Sequence, residues 1–370
     1  MAPAVAALCE APITALEIRA YTIPTASPES DGTLEWNATT MVYVEIAAGG
    51  KTGIGYTYAD VSTAKLIDTM LRDVLVGKDA LQISARWNDM FGITRNLGRD
   101  GITSMAVSAV DVALWDLKAK ILEVPVYALL GAVRSEVPVY GSGGFTSYTV
   151  EELCAQLRGW VDDGIPRVKM KIGRDPSADI VRVAAARKAI GEHVALFVDA
   201  NGAYTPQEAV AQAERFEEQR VTWFEEPVFR EDYRGTRFVR QHAPPGMEIS
   251  SGEYGYGLYQ FARMLDGGIV DVLQADATRC GGFTGLLAVD GLCQTTEIPL
   301  STHCAPHLHL HVATGCRSLR HIEYFFDHGR IERMLFEGAS DPVDGALAPD
   351  LSRPGIGLEL RRRDAERYEV

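Results

Sequence analysis

The chain has 370 residues, of which 46% are hydrophobic and 23% charged, and its 36 Lys and Arg against 50 Asp and Glu give a formal net charge of −14. This composition excludes a disordered or collagen-like chain, and the length suits two domains, or one large barrel with an addition. The acidity is not interrupted by any cluster of Lys or Arg, which argues against nucleic acid and anionic membranes as partners.

Neither a signal peptide nor a membrane span is expected. Residues 1–12 contain no basic region and no long apolar run, and Glu10 interrupts them. No stretch approaches the roughly 18 consecutive apolar residues that a membrane span needs. The 6 cysteines form no Cys-x-x-Cys pair, so we expect reduced, mostly buried thiols and a cytoplasmic location.

The first part of the chain has strand patterns followed by helical ones. In chain order, the predicted strands are 13–24, 41–46 and 51–56, and the predicted helices are 63–75 and 103–121. Gly49-Gly50 separates the second and third strands and is a hairpin signal. We therefore expect an α+β unit in residues 1–135.

Eight short apolar strands then alternate with helical stretches. They are 137–141, 167–172, 194–199, 221–225, 247–251, 270–274, 298–301 and 319–324. Eight β units joined by α units predict a closed parallel barrel, which we place at 136–326. The alternative is an open doubly wound sheet, disfavoured because no Gly-rich dinucleotide-binding turn follows the first strand. The turn-rich tail at 327–370 is expected to pack on the first unit.

Ionisable residues end seven consecutive strands of this predicted barrel, from the second to the eighth. In barrel enzymes the catalytic groups lie at the carboxyl ends of the strands. A single ionisable residue there would be interpreted as a solvated charge. Seven of them, one at the end of each strand and all at one rim, indicate a site. In chain order they are Lys171, Asp199, Glu225, Glu253, Asp276, His303 and Glu323.

Three of these residues predict a metal site. Asp199, Glu225 and Glu253 end adjacent strands, so their carboxylates converge. Three oxygen ligands without Cys or His suit a hard cation, with Mg²⁺ as the default and Mn²⁺ as the alternative. Pairing with Lys and Arg is the other interpretation, but the mutual repulsion of the carboxylates favours a divalent ion. Asn201 shares the face of Asp199 and is expected near the metal, whereas Glu226 is expected to point away from it.

Two candidate bases flank the predicted metal. Lys169 and Lys171 share one face of their strand, and their mutual repulsion is expected to lower the pKa of one of them. We predict that Lys171, nearer the rim, is the base and that Lys169 lies against the substrate carboxylate. His303 is the second candidate base, because Asp276 can accept from one ring nitrogen and leave the other free.

Other histidines and cysteines are interpreted as structural. His307, His309 and His311 alternate along a predicted helix, where positions two apart do not face each other, so they are interpreted as packing or surface residues. Cys280 and Cys304 lie near predicted strand ends and are interpreted as packing residues.

These motifs resemble the mandelate racemase subgroup of the enolase superfamily. The resemblance rests on Lys169-x-Lys171, Asp199-x-Asn201, Trp223-Phe224-Glu225-Glu226-Pro227, Gly252-Glu253, Asp276, His303 and Glu323, with Ser108 to Asp111, Trp115-Asp116 and Leu129-Leu130-Gly131 ahead of the barrel. It implies an α/β fold: a modified (β/α)₇β TIM barrel at 136–326, under an N-terminal α+β capping domain at 1–135 that the tail 327–370 completes. It also implies a homo-oligomer, from dimer to octamer.

The resemblance implies the roles that the residues themselves suggest. The metal ligands are Asp199, Glu225 and Glu253, the acid/base residues are Lys171, His303 and Asp276, and the substrate-binding residues are Lys169, Asn201 and Glu323. The implied reaction removes the proton α to a carboxylate of a small hydroxy acid, and the metal stabilises the resulting enediolate.

The substrate prediction depends on two segments of the cap. The predicted loops 25–33 and 56–60 are polar, which favours a hydroxylated acid, although surface loops are polar for other reasons too. We predict dehydration of an aldonate or aldarate to a 2-keto-3-deoxy acid. The alternatives are a racemase or epimerase of a 2-hydroxy acid, and a non-catalytic relative that acts as a binding protein. Muconate-type cycloisomerases and dipeptide epimerases are disfavoured, because they carry a Lys where this chain has Asp276.

Overall fold

The computed structural model describes residues 10–370. The first strands of this part of the chain form a three-stranded antiparallel sheet. The strands are β1 (Ala15–Ser30), β2 (Glu35–Ala48) and β3 (Lys51–Tyr58), in the order β1-β2-β3. Gly49 and Gly50 have φ values of 58° and 73°, as a two-residue type I′ hairpin turn requires. The predicted hairpin is therefore confirmed.

Five helices follow this sheet. They are α1 (Ser62–Leu66), α2 (Arg72–Leu75), α3 (Ile83–Ile93), α4 (Ile102–Ile121) and α5 (Val126–Leu130). The helix predicted at 63–75 exists as one run, in which a π-helical turn, Ile67–Leu71, joins α1 to α2. Most side chains of α4 are buried, because this helix lies between the sheet and the barrel.

Two glycines of β3 allow α4 to pack directly against the strand backbone. A Cβ atom on Gly55 would lie 2.2 Å from the carbonyl oxygen of Ala109, and one on Gly53 would lie 2.3 Å from that of Ala113. Both distances are far shorter than a van der Waals contact, so only glycine fits at this close approach.

Eight parallel strands form the predicted closed barrel. The strands are β4 (Val137–Gly143), β5 (Arg167–Lys171), β6 (Ala195–Asp199), β7 (Val221–Glu225), β8 (Glu248–Ser251), β9 (Val272–Ala275), β10 (Leu300–Thr302) and β11 (Leu319–Phe325). The helices between them are α6 (Val150–Asp162), α7 (Pro176–Ile190), α8 (Pro206–Glu217), α9 (Tyr233–His242), α10 (Leu258–Asp266), α11 (Gly282–Thr296) and α12 (Pro306–Gly315). Each strand pairs with the next, and β11 pairs with β4 to close the barrel.

Aromatic rings and one histidine fill the barrel interior below the strand ends. The rings of Phe197 and Trp223 stack with their centroids 5.1 Å apart, and the ring of His321 lies 4.8 Å from that of Tyr140. Nδ1 of His321 lies 2.9 Å from the Ser301 hydroxyl. Burial, together with nearby arginines, lowers the pKa of His321 to about 3, so this ring stays neutral in the folded protein at neutral pH.

The tail differs in one respect from its prediction. An unpredicted helix, α13 (Phe326–Leu335), follows β11 directly, and the extended return begins only after it, with β12 (Phe336–Glu337), β13 (Ala346–Leu347), β14 (Glu359–Leu360) and α14 (Arg362–Ala365). The helix is short and contains Gly329, which weakens its signal in the sequence.

The tail contacts both parts of the molecule. Strand β13 pairs with β4 of the barrel, while the amide of Val370 donates to the carbonyl oxygen of Ala20 and Arg362 bonds to Glu45 in the cap. These contacts support the division into 1–135 plus 327–370 and 136–326, which stays a prediction. Among residues 10–370, no helix is long and apolar enough to cross a membrane.

The close approach of β3 and α4 gives a stability prediction. Gly55→Ala should lower the free energy of unfolding by about 2 kcal/mol or more, because the new methyl group must displace the helix backbone. Gly92→Ala is the matched control: it lies in α3 with no atom within 4 Å of an added Cβ, and it should be neutral or slightly stabilising. Chemical denaturation measures both variants, and equal stabilities would contradict the packing described.

The neutral state of buried His321 predicts acid sensitivity. Its folded-state pKa of about 3 lies below the ordinary value of about 6.5, so the unfolded chain binds the extra proton and stability falls as pH drops below 6.5. Between pH 7 and pH 5 this one group should cost about 2 kcal/mol. Urea unfolding of His321→Gln at both pH values should show a smaller loss than the parent, and an unchanged loss would mean that other groups govern the acid response.

Candidate active site

The barrel brings all nine predicted site residues to its carboxyl end, under the cap. All of them are buried except Asn201, which is partly exposed: Lys169, Lys171, Asp199, Asn201, Glu225, Glu253, Asp276, His303 and Glu323. Lys171, Asp199 and Glu225 are the last residues of β5, β6 and β7, and the others end or directly follow their strands or lie within them. The ionisable residues that recur once per predicted strand therefore lie together at one rim of the barrel.

A cavity of about 460 Å³ separates this rim from the cap. Its lining from the barrel includes Lys171, Asn201, Glu253, Tyr254, Arg279, His303, Cys304 and His328, and its lining from the cap includes Asp31, Trp36, Thr39, Tyr58 and Asp60. Both candidate bases thus reach the same space. Lys169 and Glu323 do not line it, and they contact each other instead, with Nζ 2.8 Å from Oε1.

Three carboxylates form a compact set of oxygen ligands. Asp199, Glu225 and Glu253 each offer an oxygen atom within 4.8 Å of the others, and all three side chains are buried. Oε2 of Glu253 is buried and has no hydrogen-bond partner among the described residues. A buried carboxylate oxygen without a partner is costly, and a bound cation supplies the missing interaction. The residues present therefore fit a hard divalent cation.

The pKa values of these carboxylates depend on their mutual repulsion and on the two nearby lysines. Burial and the charge of Asp199 raise the pKa of Glu225 well above its ordinary value. Burial also favours the neutral form of Asp199, but the Coulombic attraction of Lys171 and Lys169 outweighs it and lowers its pKa. The lysines thus compensate part of the negative charge, and the charge on Glu225 remains unfavourable without a further cation.

The predicted lowering of the Lys171 pKa is wrong for the site formed by the protein alone. Burial and the charge of Lys169 do act in that direction, but the attraction of Asp199, Glu253 and Glu225 is stronger and raises the pKa. Nζ of Lys171 lies 2.5 Å from Oδ2 of Asp199. The carboxylates that the next strands bring close to Lys171 outweigh the repulsion from its neighbouring lysine.

The other lysine is more tightly held. Nζ of Lys169 bonds to Glu225, lies 2.8 Å from Glu323 and lies 3.5 Å from Asp199. Against the opposing effect of burial, these carboxylates raise its pKa well above the ordinary value. Lys169 is therefore a fixed positive charge beneath the site, and of the two lysines only Lys171 is placed to exchange protons with the cavity.

His303 and Asp276 form the predicted pair. Nδ1 of His303 lies 2.8 Å from Oδ2 of Asp276, and the amide of Thr278 donates to the other carboxylate oxygen at 2.7 Å. Burial opposes the charge on Asp276, but the hydrogen bond from His303 and the nearby cations lower its pKa below the ordinary value. An ionised Asp276 fixes the proton on Nδ1 and leaves Nε2 free toward the cavity.

Glu226 does not point away as predicted. Its φ of 36° breaks the alternation of the strand and turns the residue back toward the carboxylates. The side chain is buried, with Oε1 3.4 Å from the Ser251 hydroxyl, and burial and the charge of Glu253 raise its pKa. A positive φ at a non-glycine residue leaves no clear mark in the sequence.

Sequence reasoning also missed Arg279. Its Nη1 donates to the carbonyl oxygen of Glu253 at 3.1 Å, and its Nε lies 3.7 Å from Asp276. The guanidinium lies over the ring of Tyr254, 4.8 Å from its centroid, and Arg230 lies over the same ring at 4.4 Å. The available signal was its place three residues after Asp276, in the loop that follows a barrel strand.

The cysteine interpretation needs a correction, and the histidine interpretation is decided between its two alternatives. Cys304 is not only a packing residue, because it lines the cavity with its Sγ 3.2 Å from Nε2 of His303. His307, His309 and His311 are all buried, so they pack and none lies at the surface. They contact three different partners and form no common site.

The cap segments over the cavity are less loop-like and less polar than predicted. Strand β1 continues to Ser30, with residues 25–28 bulged out between the pairs Pro24↔Ala38 and Glu29↔Trp36. Of the predicted loop 25–33, the cavity lining contains only Asp31. Aromatic groups add to the lining: Trp36, Phe325 and Tyr58, whose ring stacks on His328 at 3.5 Å.

Two family models match the chain. The N-terminal domain of mandelate racemase / muconate lactonizing enzyme matches residues 18–131, and the enolase C-terminal domain-like family matches residues 152–365.

Relatives of established activity act on acid sugars. The chain is 34% identical to the 3,6-anhydro-α-L-galactonate cycloisomerase of Streptomyces coelicolor, over 84% of this chain and 86% of that protein. It is 31% identical to the arabinonate dehydratase of Saccharolobus solfataricus, over 82% of each. Acid-sugar cycloisomerisation was not among the sequence-based alternatives.

Solved structures share the whole fold. A mandelate racemase/muconate lactonizing enzyme-like protein from Rubrobacter xylanophilus has a TM-score of 0.95 and 52% identity, covering 97% of this chain and 100% of that one. A racemase from Streptomyces coelicolor with bound magnesium has a TM-score of 0.91 and 30% identity, with the same coverage. The chain therefore belongs to the mandelate racemase/muconate lactonizing enzyme family of the enolase superfamily.

Proposed function

We propose that this enzyme removes the α proton of an acid sugar and then eliminates the β-hydroxyl, giving a 2-keto-3-deoxy acid. The observation that carries the proposal is the presence of two nitrogen bases, Nζ of Lys171 and Nε2 of His303, in one cavity. Strand β5, which carries Lys171, lies next to β6 on one side of the three strands that lead to the carboxylates. Strand β10, which precedes His303, lies on the other side, separated from β8 by β9. A substrate over the carboxylates would therefore meet one base on each side.

The proposal includes one Mg²⁺ per chain, held by Asp199, Glu225 and Glu253, with Mn²⁺ as an alternative ion. When bound, the cation would stabilise the negative charge that develops on the substrate carboxylate as the α proton leaves. The same ion would compete with Lys171 for Asp199. That competition would loosen the hold on Nζ and bring the pKa of Lys171 down toward a value useful for proton transfer.

The remaining steps are proton transfers by the chain's own residues. One of the two bases takes the proton from C2, and the other delivers a proton to the hydroxyl on C3, so that the C3–O bond breaks and water leaves. The resulting enol then becomes the keto acid. Asp276 keeps Nε2 of His303 available through its bond to Nδ1, and Lys169 holds Glu225 and Glu323 in place.

Cycloisomerisation is the second candidate, supported by the 34% identity to an acid-sugar cycloisomerase. It shares the removal of the α proton, but the oxygen that leaves C3 belongs to the substrate's own ring and stays in the molecule. A racemase would use both bases to move the C2 proton from one face to the other. We further propose that the chain self-associates, between dimer and octamer.

Proton NMR in D₂O with Mg²⁺, across aldonates, aldarates, their anhydro forms and 2-hydroxy acids, separates these reactions. Dehydration removes the C2 proton signal and gives a keto-deoxy acid lighter by one water. Cycloisomerisation gives a keto acid of unchanged formula, and racemisation gives only deuterium at C2. If none of the compounds in the panel reacts, that result contradicts the proposal and favours a binding protein.

The two bases predict different failures when each is removed. Lys171→Met and His303→Asn should each lower kcat for product formation by at least about 10²-fold. The variant that retains the C2 base should still exchange the C2 proton with D₂O while making no product. Lys188→Met, an exposed position on α7, is the control for loss of a lysine. If either active-site variant turns over at the normal rate, the residue replaced in it has no role in the mechanism.

The metal assignment predicts a specific loss of affinity. Glu253→Gln should weaken Mg²⁺ or Mn²⁺ binding by at least about tenfold, because it removes the charge of one ligand. Glu248→Gln is the matched control, since Glu248 begins β8, the strand that Glu253 follows, and pairs with Arg320 away from the site. Calorimetric titration measures both, and equal affinities would show that Glu253 is not a ligand.

A further inference from the structure

The cavity contains a thiol that the proposed reaction does not use. Cys304 follows His303 directly, and its φ of 51° is in the left-handed region. Its Sγ lies 3.2 Å from Nε2 of His303, the nitrogen that faces the cavity. Its backbone amide donates to Oε2 of Glu323 at 2.9 Å. Cys304 therefore joins a histidine and a glutamate that the sequence separates.

These three side chains form a second set of metal ligands, different in kind from the carboxylates. Nε2 of His303, Sγ of Cys304 and a carboxylate oxygen of Glu323 lie within 4.8 Å of one another, and all three residues are buried. A nitrogen, a sulfur and an oxygen donor together suit a borderline-soft cation such as Zn²⁺, whereas Mg²⁺ takes oxygen ligands.

The spacing of the ligand atoms agrees with a tetrahedral ion. Ordinary Zn–N, Zn–S and Zn–O bond lengths place N and S about 3.6 Å apart and N and O about 3.4 Å apart. Here Nε2 of His303 lies 3.2 Å from Sγ of Cys304 and 3.9 Å from Oε2 of Glu323. Shifts of a few tenths of an ångström, within the reach of side-chain rotation, complete the geometry.

We propose that His303, Cys304 and Glu323 bind one thiophilic divalent cation, Zn²⁺ or its analogue Cd²⁺, at a site separate from the carboxylates of Asp199 and Glu225. Binding forms one bond from the metal to each ligand atom and releases the thiol proton to solvent. The ion occupies Nε2 of His303, so under the proposed function it inhibits the enzyme. Nε2 of His303 also lies 3.4 Å from Oε2 of Glu253, so the site adjoins the carboxylate set at that residue.

The surroundings of the three ligands support this assignment. Asp276 bonds to Nδ1 of His303, which is the usual outer-shell contact of a zinc-bound histidine. Lys169 and the Ser142 hydroxyl contact Oε1 of Glu323. Oε2 accepts the Cys304 amide and keeps a second lone pair for a metal. The ammonium of Lys169 opposes the charge of a cation, but the carboxylate and the thiolate together balance a divalent ion.

Cadmium titration of the full-length protein, kept in excess Mg²⁺, tests the site without any substrate. The background protein for this test is the double variant Cys9→Ser, Cys154→Ser. These two thiols are removed because Cys154 is only partly buried and Cys9 lies outside the described residues. The background should develop the ultraviolet absorption of a Cd²⁺–thiolate bond, saturating at one ion per chain. Adding Cys304→Ser should abolish that absorption, and adding His303→Gln should weaken binding at least tenfold.

The outcomes separate this site from its alternatives. Absorption that persists in Cys304→Ser, or no absorption in the background, overturns the proposal. Circular dichroism and the unfolding temperature check that each variant is folded. If Cys304→Ser does not fold, the loss of affinity in His303→Gln still tests the site. Zn²⁺ inhibition without a thiolate signal would indicate displacement of Mg²⁺ at the carboxylates. Because the absorption needs no turnover, failure of the proposed reaction and failure of this site are distinguishable.

Discussion

The balance between buried carboxylates and two lysines is the interaction on which the rest of the site depends. Asp199, Glu225 and Glu253 are removed from water on neighbouring strands, and such a set is stable only with compensating positive charge. Lys169 supplies a permanent part of it, since it lies among three carboxylates. Lys171 supplies the rest, mainly through its contact with Asp199, and it lines the cavity. The side chain that stabilises the site is therefore also the one placed to transfer a proton.

The cap covers these groups, and polar contacts hold it over the barrel. Thr39 donates to Asp327 at 2.6 Å, the hydroxyl of Tyr56 donates to Glu332 at 2.6 Å, and Thr57 donates to the carbonyl oxygen of Thr278 at 2.8 Å. Two of these three partners, Asp327 and Glu332, belong to α13, which follows the last barrel strand. The proposed acid/base and metal residues therefore lie at the barrel strand ends, while the cap's part of the cavity lining comes mainly from β2, the end of β3 and the turns beside them.

The sequence was informative where a repeating pattern met a fixed geometry. The alternation of eight β units with α units predicted the barrel. The ionisable residues at its strand ends predicted the rim and the pair of His303 and Asp276, because every parallel strand ends at the same side. Positions that depend on a single backbone angle were missed: Glu226 and Cys304 enter the site only through a positive φ. The direction of the Lys171 pKa was also missed, because it is set by distances between strands that no spacing along the chain encodes.

The pKa of Lys171 with and without saturating Mg²⁺ tests this electrostatic account most directly. Carbon-detected NMR of the lysine side chains, with Lys171→Met to assign the signal, follows its titration. We expect Lys171 to stay protonated through the alkaline range in which the metal-free protein is folded. We expect Mg²⁺ to lower its pKa into that range by competing for Asp199. A titration that is the same in both states would show that the carboxylates, the cation and the base are not coupled.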